Sequence, residues 1–286
     1  MTTIYQLAWR RTTNVPGSSA AWLLTLPALL VVAVFFAFPL LRLLASSFEG
    51  VGLPWYAKAL GTDGLYLTIM LRTFEIAAIV TAGCLVLGYP VAFLLATTTP
   101  FWRATGFAFI MLPLWTSVLV RTYAWMVLLG RNGIINRILI DSGSMAEPLP
   151  LLNSKLAVVL GMIHVMMPFM VLPIYSALHR IDPDLPKAAY GLGATPVRVF
   201  TTIYLPLTLR GVVAGVTLVF VVSLGFYITP ALLGGGKVIM FAMIIEQQVR
   251  EFLAWNFAGA LSMVLLAVTL AVFWLLNVGV ARRLGE

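Results

Sequence analysis

Six apolar stretches, each long enough to cross a bilayer and separated by short polar segments, leave this chain almost no choice of fold class. A hydrocarbon core of about 30 Å takes about 20 helical residues at about 1.5 Å each. The runs over 21–46, 66–97, 104–129, 156–178, 211–229 and 256–280 meet or approach that length. In lipid every backbone N–H and C=O must be satisfied inside the protein, so these runs are read as helices. The expected fold is all-α: a polytopic membrane protein with six transmembrane helices in one domain over 1–286. Only 10% of the residues are charged and 61% are hydrophobic, which excludes a soluble domain.

The net charge of +8 does not point to nucleic acid, because the basic residues sit at the ends of apolar runs rather than in one patch. Their expected partner is membrane lipid. Cys84 is the single cysteine, so the chain can build neither an internal disulfide nor a cysteine metal site, and it is read as a small buried hydrophobe. The start, MTTIYQLAWRR, lacks the basic, apolar and cleavage-site order of a removable leader, so the first run is expected to stay in the protein.

One polar island interrupts the pattern, at 184–210 between the fourth and fifth runs: DLPKAAYGLGATPVRVFTTIYLPLTLR. Asp184 is expected to cap a short helix with Pro186 in its first turn, and Gly193 to end it. Thr195 followed by Pro196 has the form of an N-cap and first helical residue. The second helix is expected to stop before Pro206, because proline disfavours the helical conformation of the residue before it. Two short helices meeting at a glycine corner have no lipid-facing role. They suit a handle for a partner protein in water.

Within the island, Ala188 and Ala189, then Gly193, then Ile203, Leu205 and Pro206 follow the spacing Ala-Ala, three residues, Gly, nine residues, Ile, one residue, Leu-Pro. This resembles the signature cytoplasmic loop of permease subunits of bacterial ABC importers that work with a solute-binding protein. The resemblance implies that Lys187, Ala188, Ala189, Gly193, Ala194, Ile203, Leu205 and Pro206, in a coupling loop over about 180–210, dock in an ATPase subunit and pass its closure to the membrane helices. The family usually carries Glu where Lys187 stands, so a salt bridge from that position does not carry over. The resemblance further implies an ATPase dimer that binds ATP and magnesium, a second homologous permease and an external binding protein, with no cofactor on this chain. LPLWTSVLVRTYAWMVLLGRNGIIN and FYITPALLGGGK are similar to the spermidine/putrescine branch. That implies a polyamine or related basic amine as cargo. Importers of opines, amino-acid derivatives or metal ions share the loop signature and stay open as alternatives.

Arg72, Glu75 and Arg121 are the ionisable residues that fall well inside apolar sequence. A charge at mid-bilayer costs about 2.5–3.5 kcal/mol on the lenient insertion scale, so such groups pair or face a wet cavity. Glu75 and Arg121 lie at similar depths, about 12–14 Å from the outer ends of their runs. Either they pair between neighbouring helices or each reaches water separately, and Arg72 competes for Glu75. With Trp115, Tyr123 and Tyr227 they make up the expected translocation pathway. The aromatic residues also suit helix packing or the membrane interface. His164, with no acid at helical spacing, is read as a hydrogen-bonded packing or cavity residue.

Six spans put both termini and the polar island on one side. That side carries Arg10, Arg11, Arg103, Arg180, Lys187, Arg198, Arg210, Arg282 and Arg283, against Lys58, Arg131, Arg137, Lys155, Lys237 and Arg250 opposite. The positive-inside rule then makes the tail over 1–20, the island and the C-terminus cytoplasmic, in a bacterial inner membrane. Gly234, Gly235 and Gly236 lack phosphate-loop spacing, and no GxxxxGK[ST] is present, so ATP hydrolysis is expected on a separate subunit. A membrane enzyme is excluded for want of HExxH, GxSxG or a carboxylate pair in a span. An ion-coupled secondary transporter is the rival class. It calls for interrupted helices around ionisable sites and symmetry between halves, neither of which is strong here.

Overall fold

The computed structural model describes residues 18–50, 52–61 and 64–283, so most of the expected tail over 1–20, with Arg10 and Arg11, lies outside the described residues. Among the described residues every regular element is helical. Helix α1 runs unbroken through Ser18–Val32, Ala33–Ala37 and Phe38–Phe48, and α2 is Leu53–Leu60. Then come α3 (Leu65–Thr97), α4 (Pro100–Trp115), α5 (Val118–Leu129), α6 (Ile134–Asp141) and α7 (Lys155–His179). The polar island opens with α8 (Asp184–Gly191) and leads into α9 (Pro196–Leu224). The chain closes with α10 (Ile228–Leu233), α11 (Phe241–Arg250) and α12 (Trp255–Arg283). Among the described residues five helices are long and apolar enough to cross a membrane, or six if the bent pair Pro100–Trp115 and Val118–Asp141 counts as one span.

Helices α3, α7 and α9 pack against one another and form the centre, while α1 packs on α12. In its most apolar stretch α7 is 56% buried and α1 is 0% buried, which separates the core helix from the peripheral one. Met162, Met166 and Met170, four residues apart on α7, are fully buried among Val80, Cys84 and Val219. Unbranched thioether chains fill the irregular space between closely approaching helices. Cys84 is a buried hydrophobe, as its apolar surroundings imply. The GVVAG stretch at 211–215 admits a close neighbour: a Cβ on Gly211 would stand 2.6 Å from the Pro173 carbonyl oxygen on α7. Small residues let helix backbones meet where lipid supplies no hydrophobic drive between them.

Three expectations about helix ends are corrected. First, the third run is not one straight helix: α4 stops at Trp115 and the following segment Val118–Asp141, which comprises α5 and α6, leaves at an angle of 103°. Pro113 stands in the last turn of α4, and Thr116 and Ser117 adopt extended backbone, where ladder bonding ends. Second, the helix after Thr195 does not stop before Pro206. Residues Phe200–Tyr204 widen into a π-turn, with Leu205 N–H bonded to the Phe200 carbonyl, and the helix continues. The wider turn accommodates a proline that has no N–H to offer and would clash with an α-helical carbonyl behind it. The same device recurs in α1, where the π-turn Ala33–Ala37 precedes Pro39 at the same offset. Third, the fifth span therefore covers Pro196–Leu224 rather than 211–229, and 228–233 is a separate short helix.

The loop between α5 and α7 is pinned by one side chain. Asn136 is 1% exposed; its amide donates to the carbonyls of Gly130 and Leu149, each at 3.0 Å, and accepts the Leu149 N–H at 2.9 Å. Replacing it with leucine leaves buried polar groups without partners, at about 1–3 kcal/mol each. Asn136→Leu is expected to speed amide exchange of Leu149 and its neighbours by about tenfold or more in the purified protein. Unchanged exchange would show that the loop is held by other contacts.

Candidate functional site

The polar island forms a protruding corner. The α8 N-terminus is capped by Asp182, whose carboxylate accepts the Asp184 N–H at 2.9 Å, so Asp182 takes the capping role expected of Asp184. Asp184 instead holds Lys187 at 2.8 Å, with both side chains largely in solvent. That hydrogen bond, and then the carboxylate's charge, hold the Lys187 ammonium above the ordinary lysine value. At the other end Gly193 adopts φ +81°, with its N–H on the Tyr190 carbonyl and the Ala194 N–H on that of Ala189. This paired closure satisfies carbonyls that the helix end leaves free, and it requires the left-handed conformation that glycine adopts without strain. Thr195 then caps the next helix as expected, its hydroxyl accepting the Arg198 N–H at 3.4 Å.

The corner presents apolar side chains to solvent. Leu192 is 90% exposed and Val197 72%, beside the exposed Ala188 and the half-buried Ala189 and Ala194. Ile203 is half-buried, and Leu205 and Pro206 are exposed further along α9. Sequence reading missed how the corner is tied to the bundle. Phe200 and Tyr204 of the π-turn meet Tyr89 and Phe93 of α3 edge to face, at centroid distances of 5.0–6.1 Å. The Tyr89 hydroxyl also bonds Thr208 at 2.9 Å. Edge-to-face packing favours fixed ring geometry, so the corner and α3 form one mechanical unit. The four rings are 89, 93, 200 and 204 in sequence, and no local periodicity links the first pair to the second.

The expected pathway residues do not gather at one point. Glu75 pairs with Lys155 at the start of α7, not with Arg121. Of the two alternatives, pairing with Arg121 is not found: the start of α7 brings Lys155 to Glu75 inside α3, whereas Arg121 lies on α5 beyond the α4–α5 bend. Arg121 Nε donates to the Ser117 carbonyl at 3.4 Å, and its Nη1 is buried without a hydrogen-bond partner. Trp115 and Tyr123 are exposed. His164 is a hydrogen-bonded packing residue, its Nδ1 accepting from the Trp125 indole at 3.3 Å.

Among the described residues, three of the cavities bear on these positions. A small one, about 180 Å³, is lined by Arg72, Glu75, Lys155 and Lys237 and is dominated by positive charge. A larger one, about 570 Å³, is bounded by Leu119 of α5, Tyr227, α10 and α11. A third, about 450 Å³, lies between α9, α11 and α12 and also reaches Tyr227. Of the five expected pathway residues, Glu75 and Tyr227 line these cavities.

Residues 86–284 match the family described as binding-protein-dependent transport system inner membrane component. The chain is 34% identical over 272 residues to the spermidine/putrescine transport system permease protein PotB of Haemophilus influenzae, covering 90% of this chain and 91% of that protein. It is 34% identical over 215 residues to PotB of Escherichia coli, covering 74% and 78%. Among solved structures it resembles a bacterial ABC transporter involved in the import of the acidic polysaccharide alginate, with a TM-score of 0.69 at 17% identity, covering 93% of this chain and 96% of that one. Inward-facing MetNI, the methionine ABC transporter, follows with a TM-score of 0.54 at 18% identity, covering 78% and 98%. With its helical bundle and its island signature, the chain belongs to the binding-protein-dependent transport system inner membrane components: it is a multi-pass inner membrane protein, the non-catalytic permease subunit of an ABC importer.

Proposed function

We propose that the α8–α9 corner is the element through which an ATPase dimer drives this permease, and that the cargo is a polyamine. The observation that carries the first part is the exposed apolar face of the corner. Leu192, at 90% exposure on a short helix-turn that none of the other described residues covers, is fitted to a cleft in a partner. In this reading Lys187, Ala188, Ala189, Gly193 and Ala194 enter the cleft, and Ile203, Leu205 and Pro206 carry its movement into α9. The whole chain over 1–286 acts as one permease domain, with the tail, the corner and the C-terminus in the cytoplasm where ATP and magnesium bind the partner. Closure of the ATPases shifts the population between outward-open and inward-open forms in proportion to its differential affinity for them. A second homologous permease completes the pathway, and an external binding protein loads it.

Leu192→Asp tests the corner. Burying a carboxylate where a leucine docked is expected to weaken ATPase binding to the purified permease by about tenfold or more. An unchanged dissociation constant would remove the corner from the interface. The cargo reading is supported by the names of the 34%-identical relatives, which are spermidine/putrescine permeases. Co-purification of the native complex, followed by titration of its binding protein with putrescine and spermidine, decides it. A second cargo class, a basic amino-acid derivative bearing a carboxylate such as an opine, is the alternative outcome of that titration. Tighter binding of that class than of putrescine would replace the first reading.

A further inference from the structure

We propose that Glu246 is the carboxylate that receives an ammonium group of the cargo at the mouth of this permease, taking the amine in exchange for its present partner Arg250. The inference rests on the reading of the cargo as an amine, and it assigns that cargo a site on this chain.

Two cavities carry the argument. The 570 Å³ cavity beside α10 and the 450 Å³ cavity between α9, α11 and α12 share two residues, Tyr227 and Glu246. Among the described residues Glu246 is the one Asp, Glu, Lys or Arg lining the 450 Å³ cavity, whose other walls are apolar apart from Tyr227, Ser262 and Thr269. A carboxylate shared by a polar chamber and a largely apolar one is the strongest local attraction for a cation passing from the first into the second, because the low-polarity walls of the second screen it weakly. The Tyr227 ring at the same junction offers a second, weaker attraction of the cation–π type.

Position and pairing both suit exchange. Helix α11 is anchored at its start, where Phe241 is fully buried and its N–H donates to Thr73 on α3 at 2.8 Å. Glu246 is thereby held in place, with its side chain 32% exposed, while Arg250 one turn later is 77% exposed and reaches it at 3.0 Å. A solvated pair at this spacing is weak, and the long arginine can swing into water at little cost. Glu251, bonded to the neutral Gln247 at 2.8 Å, leaves the first cavity with two carboxylates against one guanidinium. The contrast with the small cavity is direct. There Glu75 is held by Lys155 and flanked by Arg72 and Lys237, so a cationic amine is repelled from it.

The test uses the full importer in proteoliposomes: this chain with its ATPase, second permease and binding protein, and labelled putrescine or spermidine at saturating binding protein. Glu246→Gln is expected to lower import about tenfold or more, while ATP hydrolysis stimulated by the loaded binding protein stays within about twofold. Glu246→Asp is expected to restore a third or more of the wild-type rate. Arg250→Ala, which frees the carboxylate, should import at least as fast as wild type. Glu147→Gln, on an exposed loop lining neither cavity, is the control and should change nothing. Import by Glu246→Gln at the wild-type rate overturns the assignment. So does an Arg250→Ala variant as slow as Glu246→Gln, because the pair would then be a structural brace. A wild-type importer that moves opines but neither amine sinks the polyamine reading, and Glu246→Gln with that cargo then decides whether its ammonium group uses the same carboxylate.

Discussion

Gly193→Trp is expected to cut transport by about tenfold or more while the permease still inserts and folds. Two physical effects coincide at this position. Its φ of +81° lies where a side chain costs about 1–2 kcal/mol, so any ordinary residue strains the turn that closes α8. A Cβ there meets nothing within 4 Å in this chain, so an indole is free to project from the isolated permease. The damage is therefore expected only where the corner must enter a partner's cleft. Gly193→Asn separates the two effects, because asparagine tolerates the left-handed conformation and is far smaller than tryptophan. It should retain transport within about threefold. Comparison of import and ATP hydrolysis in the reconstituted complex checks both. A tryptophan variant that transports normally at equal expression would remove the corner from coupling.

Gly211→Ile is expected to abolish the folded permease rather than its coupling. The new Cβ would stand 2.6 Å from both the Pro173 carbonyl oxygen and the Ala177 Cβ on α7. Neither is the tip of a flexible chain, so α7 and α9 must separate along the centre of the bundle. Overpacking of a tight core costs about 1–3 kcal/mol even where neighbours can shift, and here backbone must move. The expected readout is a fall of about tenfold or more in monodisperse protein from detergent extracts. Gly215 supplies the graded comparison. Its nearest obstacle is the Met170 sulfur at 2.9 Å, with the Met170 carbonyl oxygen at 3.2 Å, so Gly215→Ala should be much milder because the thioether can turn aside. Equal yields for Gly211→Ile and wild type would mean that α7 and α9 are not in this contact in the membrane.

The helices that hold the centre were legible because lipid imposes one rule on long apolar runs. The expected 66–97 and 156–178 differ by a residue at most from α3 and α7 at each end. The corner was legible for a different reason: Gly193, Thr195 and Pro196 are residue types whose backbone preferences act locally. Asp182 was missed as the cap because Asp184 has the same side chain two residues on, and only the backbone path decides which carboxylate meets the free N–H groups. The break at Thr116 and Ser117 was missed because the apolar run continues across it. Hydropathy carries no information about the direction a helix takes.

By itself, then, the sequence determined what each segment must be: membrane helices from the runs, a water-side corner from the island, and a permease family from the spacing of Ala188, Ala189, Gly193, Ile203, Leu205 and Pro206. Tertiary structure alone decided which segments meet. Lys155 rather than Arg121 neutralises Glu75, Phe200 and Tyr204 lean on Tyr89 and Phe93, and Glu246 stands with Tyr227 between two cavities. The reason is the range of the forces involved. Backbone preference and apolar burial act along a few neighbouring residues, whereas an ion pair or a ring contact joins positions separated by 80 residues or more, set by how helices cross and where they bend.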